Sequence, residues 1–131
     1  MISREHKHLL NYLRASMKIA ELFNVSGKVA IVTGGSRGIG EMIAAGFLAN
    51  GVKVYITARK EAALIEKARE LSETYAGECI PVPCDLSTMD GMNNFVDFIQ
   101  SKEEHIDFLI NNAGASAEAC LANIGVSFWV K

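Results

Sequence analysis

The chain has 131 residues, 50% of them hydrophobic and 21% charged, which is the composition of one ordinary globular domain. The formal charge of −2 argues against a nucleic-acid partner, and no apolar run reaches the ~20 residues of a membrane span. Three cysteines, an odd number, favour reduced thiols in a cytoplasmic protein over a disulfide framework.

Residues 1–26 precede the first predicted strand. Apolar side chains recur there at helical spacing, at Leu9, Leu10, Leu13, Met17, Ala20 and Phe23. We therefore predict an amphipathic N-terminal helical extension that lies on the domain. A mitochondrial transit peptide is the alternative, against which Glu5 and Glu21 count. His6 and His8 have no further ligands at metal-binding spacing, so we predict no metal site.

Strand-like and helix-like segments alternate from Gly27 to Asn112. β-Branched and apolar runs predict strands at 28–33, 52–57, 78–83 and 106–110, the third an edge strand because it contains two prolines. Helical periodicity predicts helices at 39–50, 61–75 and 89–101. Their apolar faces would be Ile43, Ala44, Phe47 and Leu48, then Leu64, Ile65, Ala68 and Leu71, then Met92, Phe95, Val96 and Ile99.

This alternation predicts an α/β fold with a doubly wound, Rossmann-like parallel sheet and right-handed crossovers. If two crossovers move one way and the third returns past the first strand, the strand order is 3-2-1-4. The switch point then lies between strands 1 and 4, at the carboxyl ends where open α/β sheets bind ligands.

A glycine-rich turn joins the first strand to the first helix, with glycines at positions 34, 35, 38 and 40. Such a turn holds a phosphate, because helix N-terminal N–H groups point at the anion and absent Cβ atoms let the backbone approach it. No Gly-Lys-Ser/Thr follows, which disfavours a Walker-type loop. We predict a dinucleotide site, with an ordinary strand–helix turn as the structural alternative.

The end of the second strand indicates which dinucleotide is bound. An NAD site usually has an acid there, whereas this chain has Thr57-Ala58 followed by Arg59-Lys60, and Arg37 could face the same spot. A guanidinium binds a 2′-phosphate as a fork, so NADP is predicted over NAD. The alternative is that Arg59 and Lys60 simply open a solvated helix.

These motifs resemble those of the short-chain dehydrogenase/reductase family, particularly its NADP-dependent carbonyl and 3-oxoacyl reductases. Thr-Gly-x-x-x-Gly-x-Gly occupies 33–40, Asp85-Leu86 follows the third strand, and Asn-Asn-Ala-Gly occupies 111–114. The resemblance covers 27–114, the predicted dinucleotide-binding half-domain.

The resemblance implies a set of cofactor-binding residues: Gly34, Ser36, Arg37, Ile39, Gly40, Arg59, Asp85, Leu86, Asn112, Ala113 and Gly114. In that comparison Arg59 takes the 2′-phosphate and Asp85 contacts the adenine amino group. A helix cap or turn is the structural alternative for Asp85.

Family members continue to a tyrosine that is followed by a lysine four residues later. The tyrosine protonates the carbonyl oxygen as hydride arrives, and the lysine lowers the pKa of the tyrosine. Here Tyr12, Tyr55 and Tyr75 are followed at that spacing by Ser16, Arg59 and Cys79. We therefore predict no catalytic residue and a chain that is inactive alone, as a truncated product or fragment of an NADP-dependent oxidoreductase. The alternative is a non-catalytic NADP-binding module.

Residues 115–131 are predicted to form an atypical tail with a brief helix at 116–123. Without a fifth strand, the fourth would present an unpaired apolar edge, and only one helix would cover one sheet face. We therefore expect marginal stability and association through this edge. The sequence does not indicate the substrate.

Overall fold

The computed structural model describes residues 6–7 and 19–114. Four strands form a parallel sheet: β1 Val29–Thr33, β2 Lys53–Ala58, β3 Cys79–Pro83 and β4 Phe108–Ile110. Within residues 19–114, four helices accompany them: α1 Ile19–Leu22, α2 Gly38–Ala49, α3 Glu61–Thr74 and α4 Met89–Lys102. The order β3-β2-β1-β4 confirms the predicted topology and places β3 at an edge.

The sheet has a core on each face, because successive strand side chains point to opposite sides. The α2–α3 core joins β1 and β2 to two helices through Ala30, Val32, Val54, Ile56, Ala44, Leu48, Leu64, Ala68 and Leu71. The α4 core joins the opposite face to one helix through Val29, Ile31, Tyr55, Val82, Phe95 and Ile99. Among the described residues, two helices therefore pack on one face and one on the other, as predicted.

The predicted strands and helices begin and end within one residue of the observed bounds, except that β4 is two residues shorter than predicted. It was predicted from Ile106 and begins at Phe108. Asp107 explains the difference, because its carboxylate Oδ2 accepts the Val29 N–H at 2.9 Å in place of a strand carbonyl. The Asp107 N–H donates to the Val29 carbonyl at 2.9 Å, and the Lys28 ammonium lies 3.0 Å from the other carboxylate oxygen.

The predicted apolar helix faces are wrong at two positions, Ile65 and Val96, each 47% exposed. In α3 the buried residues are Leu64, Ala68 and Leu71, and Ile65 lies about 100° around the helix from Leu64. In α4 the buried residues are Phe95 and Ile99, and Val96 likewise lies about 100° around the helix from Phe95.

The N-terminal extension is described only from Ile19 onward, apart from residues 6–7. Phe23, expected on its apolar face, is 77% exposed, whereas Val25 packs against the α2–α3 core. The rest of the predicted extension and the 115–131 tail lie outside the described residues. Within residues 6–7 and 19–114, no helix has the length and hydropathy needed to cross a bilayer.

Candidate cofactor-binding site

The glycine turn between β1 and α2 is fastened to the end of β2. The Gly34 N–H donates to the Thr57 carbonyl at 2.9 Å and the Gly35 N–H to the same oxygen at 3.3 Å. Gly34 has φ +70°, a conformation that L side chains rarely adopt. A Cβ on Gly35 would lie 2.5 Å from Cγ2 of Ile56 in the neighbouring strand. These glycines therefore allow the turn to fold tightly against the sheet.

Asn112 connects this turn to the turn that follows β4. Its side-chain Nδ2 donates to the Thr33 carbonyl at 3.1 Å and to the Gly34 carbonyl at 3.2 Å. Gly40, buried in the first turn of α2, lies against the same groups: a Cβ there would overlap the Gly34 carbonyl oxygen and approach Asn112 Nδ2 to 2.5 Å. The predicted convergence of the two turns at the β1–β4 switch point is thus confirmed.

The Thr33 hydroxyl completes this junction, and the sequence interpretation gave it no role. Its Oγ1 accepts the N–H groups of Asn112 and Ala113, each at 2.9 Å, and donates to the Ile110 carbonyl at 3.3 Å. The sequence feature that could have indicated this role is the position of the threonine, which ends a buried apolar strand immediately before a glycine turn. Its hydroxyl fixes the Asn112–Ala113 backbone beside the glycine turn.

Helix α2 begins beside this junction with no side-chain cap. Arg37 is the residue before the helix, with extended backbone (φ −163°, ψ 164°) and no capping hydrogen bond from its side chain. Arg37, Gly38 and Ile39 are all exposed. The first N–H groups of a helix carry partial positive charge and need acceptors, so this end is suited to an anion.

Arg59 and Asp85 follow the carboxyl ends of the neighbouring strands β2 and β3. The Asp85 carboxylate accepts the Ser87 hydroxyl at 2.6 Å and the Ser87 N–H at 3.0 Å. These hydrogen bonds, with a smaller contribution from the nearby Arg59 charge, lower the pKa of Asp85. Arg59 and Lys60 are exposed.

The structural role foreseen for Asp85 is seen in part. Asp85 shapes the turn after β3, but the cap of α4 is Thr88, whose Oγ1 accepts the Gly91 N–H at 3.0 Å. Leu86 is half-buried against the α4 core. Thr57, another residue given no role from sequence, is buried with its hydroxyl 2.9 Å from the Cys84 sulfur, which links the ends of β2 and β3.

Tyr55 lies in the core, apart from the glycine turn. Its side chain is 1% exposed, and its hydroxyl donates to Glu103 Oε1 at 2.5 Å. Lys53, the first residue of β2, lies 2.9 Å from the same carboxylate oxygen. Burial, together with the Glu103 hydrogen bond and charge, raises the pKa of Tyr55. These contacts give the Tyr55 hydroxyl a structural role in the α4 core.

The family model for short chain dehydrogenases matches residues 28–129. The chain belongs to this family. The match continues beyond Gly114, where the resemblance identified from motifs ended. Among the described residues, no three or more His, Cys, Asp or Glu side chains cluster as a metal site.

Relatives of the short-chain dehydrogenase family resemble the chain in sequence and in fold. The rhamnolipids biosynthesis 3-oxoacyl-[acyl-carrier-protein] reductase of Pseudomonas aeruginosa is 42% identical over 109 residues, which are 83% of this chain and 42% of that protein. The Pseudomonas aeruginosa RhlG/NADP active-site complex matches with a TM-score of 0.69 and 42% identity, over 82% of this chain and 41% of that one.

L-Sorbose reductase from Gluconobacter frateurii, complexed with NADPH and L-sorbose, also has a TM-score of 0.69, with 35% identity. That match covers 81% of this chain and 40% of the sorbose reductase. The chain therefore spans about two fifths of the length of these relatives.

Proposed function

We propose that this chain is the cofactor-binding part of an NADP-dependent oxidoreductase of the short-chain dehydrogenase type. The observation that carries the proposal is the junction in which Asn112 joins Thr33 and Gly34 beside the uncapped start of α2. Relatives that contain NADP or NADPH share this fold at 35–42% identity, which supports the same cofactor here. Bound NADP would supply hydride exchange with a carbonyl or alcohol.

The proposed contacts follow the two halves of the cofactor. We assign the pyrophosphate side to the glycine turn and the start of α2, through Gly34, Ser36, Arg37, Ile39 and Gly40. We assign the adenosine side to Arg59 for the 2′-phosphate, and to Asp85 and Leu86 for the adenine. The ribose lies against Asn112, Ala113 and Gly114 in this proposal. Arg59, exposed immediately after β2, supports the preference for NADP over NAD.

The preference is tested by titrating the purified chain with NADPH and NADH while nicotinamide fluorescence is recorded. We expect NADPH to bind more tightly, and Arg59→Asp to remove that preference. A charge-assisted hydrogen bond contributes about 1.5–3 kcal/mol, so NADPH affinity should fall about 10- to 150-fold. Arg69→Asp makes the same charge reversal and is the matched control, because Arg69 pairs only with Glu66 and Glu73 of its own helix among the described residues. Equal affinity of wild type and Arg59→Asp for NADPH would refute the assignment.

A non-catalytic NADP-binding module is the second candidate. No tyrosine in the 131 residues is followed by lysine four positions later. Tyr55, the nearest equivalent, has its hydroxyl committed to Glu103 inside the core. We therefore propose that the chain alone binds NADPH without oxidising it. Carbonyl-dependent loss of NADPH absorbance by the purified chain would decide against this candidate.

We also propose that copies of the chain associate through the β4 edge of the sheet. Leu109 is 57% exposed, and among the described residues β4 pairs only with β1. Exposed apolar edges favour such association. Sedimentation velocity should show mass increasing with protein concentration, and Leu109→Lys should reduce the increase. A monomer at every concentration would refute this proposal.

The cytoplasm is the compartment that we propose, with mitochondria as the alternative. Cys79 and Cys84 are free thiols, as expected where disulfides do not persist. Imaging a full-length fusion beside a mitochondrial marker distinguishes the two compartments.

A further inference from the structure

An ion pair between two helices reaches the start of α2. Glu41 lies in the first turn of this helix, and its Oε1 is 2.9 Å from the Lys67 ammonium on α3. The same ammonium lies 2.6 Å from Glu70 Oε2. The Lys67 and Glu41 side chains are only 21% and 31% exposed, so the pair is partly shielded from solvent. Gly38, the first residue of α2, lines the same groove as Glu41 and Glu70.

The position of Glu41 is a problem for a helix that binds an anion. A helix N-terminus is equivalent to roughly half a positive charge, and Glu41 places a full negative charge in the same turn. Alone, that carboxylate would outweigh the helix dipole and repel a pyrophosphate. The Lys67 ammonium contacts both this carboxylate and that of Glu70, and it offsets one of these two negative charges beside the start of the helix.

We propose that Lys67 is a positioning residue of the cofactor site, which reduces the negative charge beside the start of α2 and holds Glu41 towards α3. The start of α2 thereby remains able to bind the pyrophosphate of NADP. This inference rests on the proposed function. Lys67, which lies outside the glycine turn, would thus contribute to the affinity for the cofactor through its contact with Glu41.

Another cation on α3 provides a contrast. Arg69 pairs with Glu66 at 2.6 Å and with Glu73 at 2.9 Å, both on the same helix. All three side chains are more than half exposed. Arg69→Gln therefore removes the same charge from the same helix without disturbing the α2–α3 pair, and is the matched control.

The test measures the Kd for NADPH of the full chain and of Lys67→Gln, Glu41→Gln, the double variant, Lys67→Arg and Arg69→Gln. We expect Lys67→Gln to bind about fivefold more weakly at low ionic strength, the size of effect that a charge exerts at a helix end. The loss should largely disappear at about 1 M salt, where the Debye length is about 3 Å. The double variant should regain wild-type affinity, because it removes one positive and one negative charge and so restores the net charge of the Glu41, Lys67 and Glu70 group. Lys67→Arg and Arg69→Gln should bind as wild type does.

The rescue by Glu41→Gln separates this role from a structural one, because the double variant still lacks the α2–α3 contact. Thermal unfolding of each variant confirms that folded proteins are compared. Lys67→Gln with wild-type affinity overturns the inference, as does a loss that Glu41→Gln fails to relieve. If wild type binds NADPH and Lys67→Gln binds equally well, only the inference fails. If wild type does not bind NADPH at all, the proposed function fails, and the inference fails with it.

Discussion

Two glycines of α2 allow a matched test of how the glycine turn and the Asn112 turn fit together. Gly40 is buried, and a Cβ there would overlap the Gly34 carbonyl oxygen, with Asn112 Nδ2 at 2.5 Å. The Gly34 backbone cannot move aside freely, since its N–H is bonded to Thr57 at 2.9 Å. Gly46 lies in the same helix and is exposed, and a Cβ there would meet nothing within 4 Å.

The two alanine substitutions should therefore change stability in opposite directions. Alanine in place of glycine in a helix interior stabilises by about 1 kcal/mol, which is the expected gain for Gly46→Ala. At Gly40 the same gain is opposed by overpacking of about 1–3 kcal/mol and by the loss of two Asn112 hydrogen bonds of about 1 kcal/mol each. The sum predicts a net loss of about 2–4 kcal/mol for Gly40→Ala.

Urea unfolding followed by far-ultraviolet circular dichroism measures both variants against wild type. We expect the midpoint to rise for Gly46→Ala and to fall for Gly40→Ala. Titration with NADPH should show weaker binding to Gly40→Ala even where it is fully folded, because the two turns are forced apart. Equal or higher midpoints for both variants would refute the close packing inferred at Gly40.

Other substitutions test the junction and the core. Asn112→Asp should destabilise the fold more than Asn112→Ala, because a carboxylate would face the Thr33 and Gly34 carbonyl oxygens. Protonation of that carboxylate in acid should remove the additional destabilisation. Urea unfolding midpoints of both variants at pH 7 and pH 4 measure this difference. Tyr55→Phe should lower the free energy of unfolding by about 1–2 kcal/mol, since it leaves Glu103 short of a buried donor; unchanged stability would contradict this. The hydrogen bond from Tyr55, and then that from Lys53, lower the pKa of Glu103 in the folded protein. The ionised Glu103 carboxylate therefore stabilises the fold above its ordinary pKa of 4.5, and this stabilisation is lost as the pH falls below that value. Glu103→Gln should therefore be less stable than wild type at pH 7 and lose less stability on acidification; parallel pH profiles would exclude this role.

The sequence predicted those parts of the fold that depend on local pattern and on chain topology. Val29–Thr33 is a β-branched run before glycines, and this pattern located β1 and the start of α2. The predicted strand order, with β4 beside β1, then brought residues 33 and 112 together without any knowledge of their side-chain contacts. The exposure of Ile65 and Val96 was missed because each is next to a residue that is truly buried, Leu64 or Phe95.

The contacts that the sequence did not predict join side chains far apart along the chain. Asp107 shortens β4 only because it meets the Val29 N–H. Lys67 and Glu41 are two of many charges on helix surfaces, and only the packing of α3 beside α2 makes them a pair. The hydroxyl of Thr33 gains its role from the backbone of Asn112 and Ala113, which no local pattern around Thr33 encodes.

The central claim, that the turn between β1 and α2 and the turn after β4 form one NADP site, is tested most directly by NMR. Backbone amide shifts of the ¹⁵N-labelled chain are followed during titration with NADPH. The account predicts saturable changes largest at Gly34, Ser36, Gly38 and Gly40 and at Asn112–Gly114, with Arg59 and Asp85 also affected. Spectra unchanged at millimolar NADPH, or shifts confined to residues far from both turns, would contradict it.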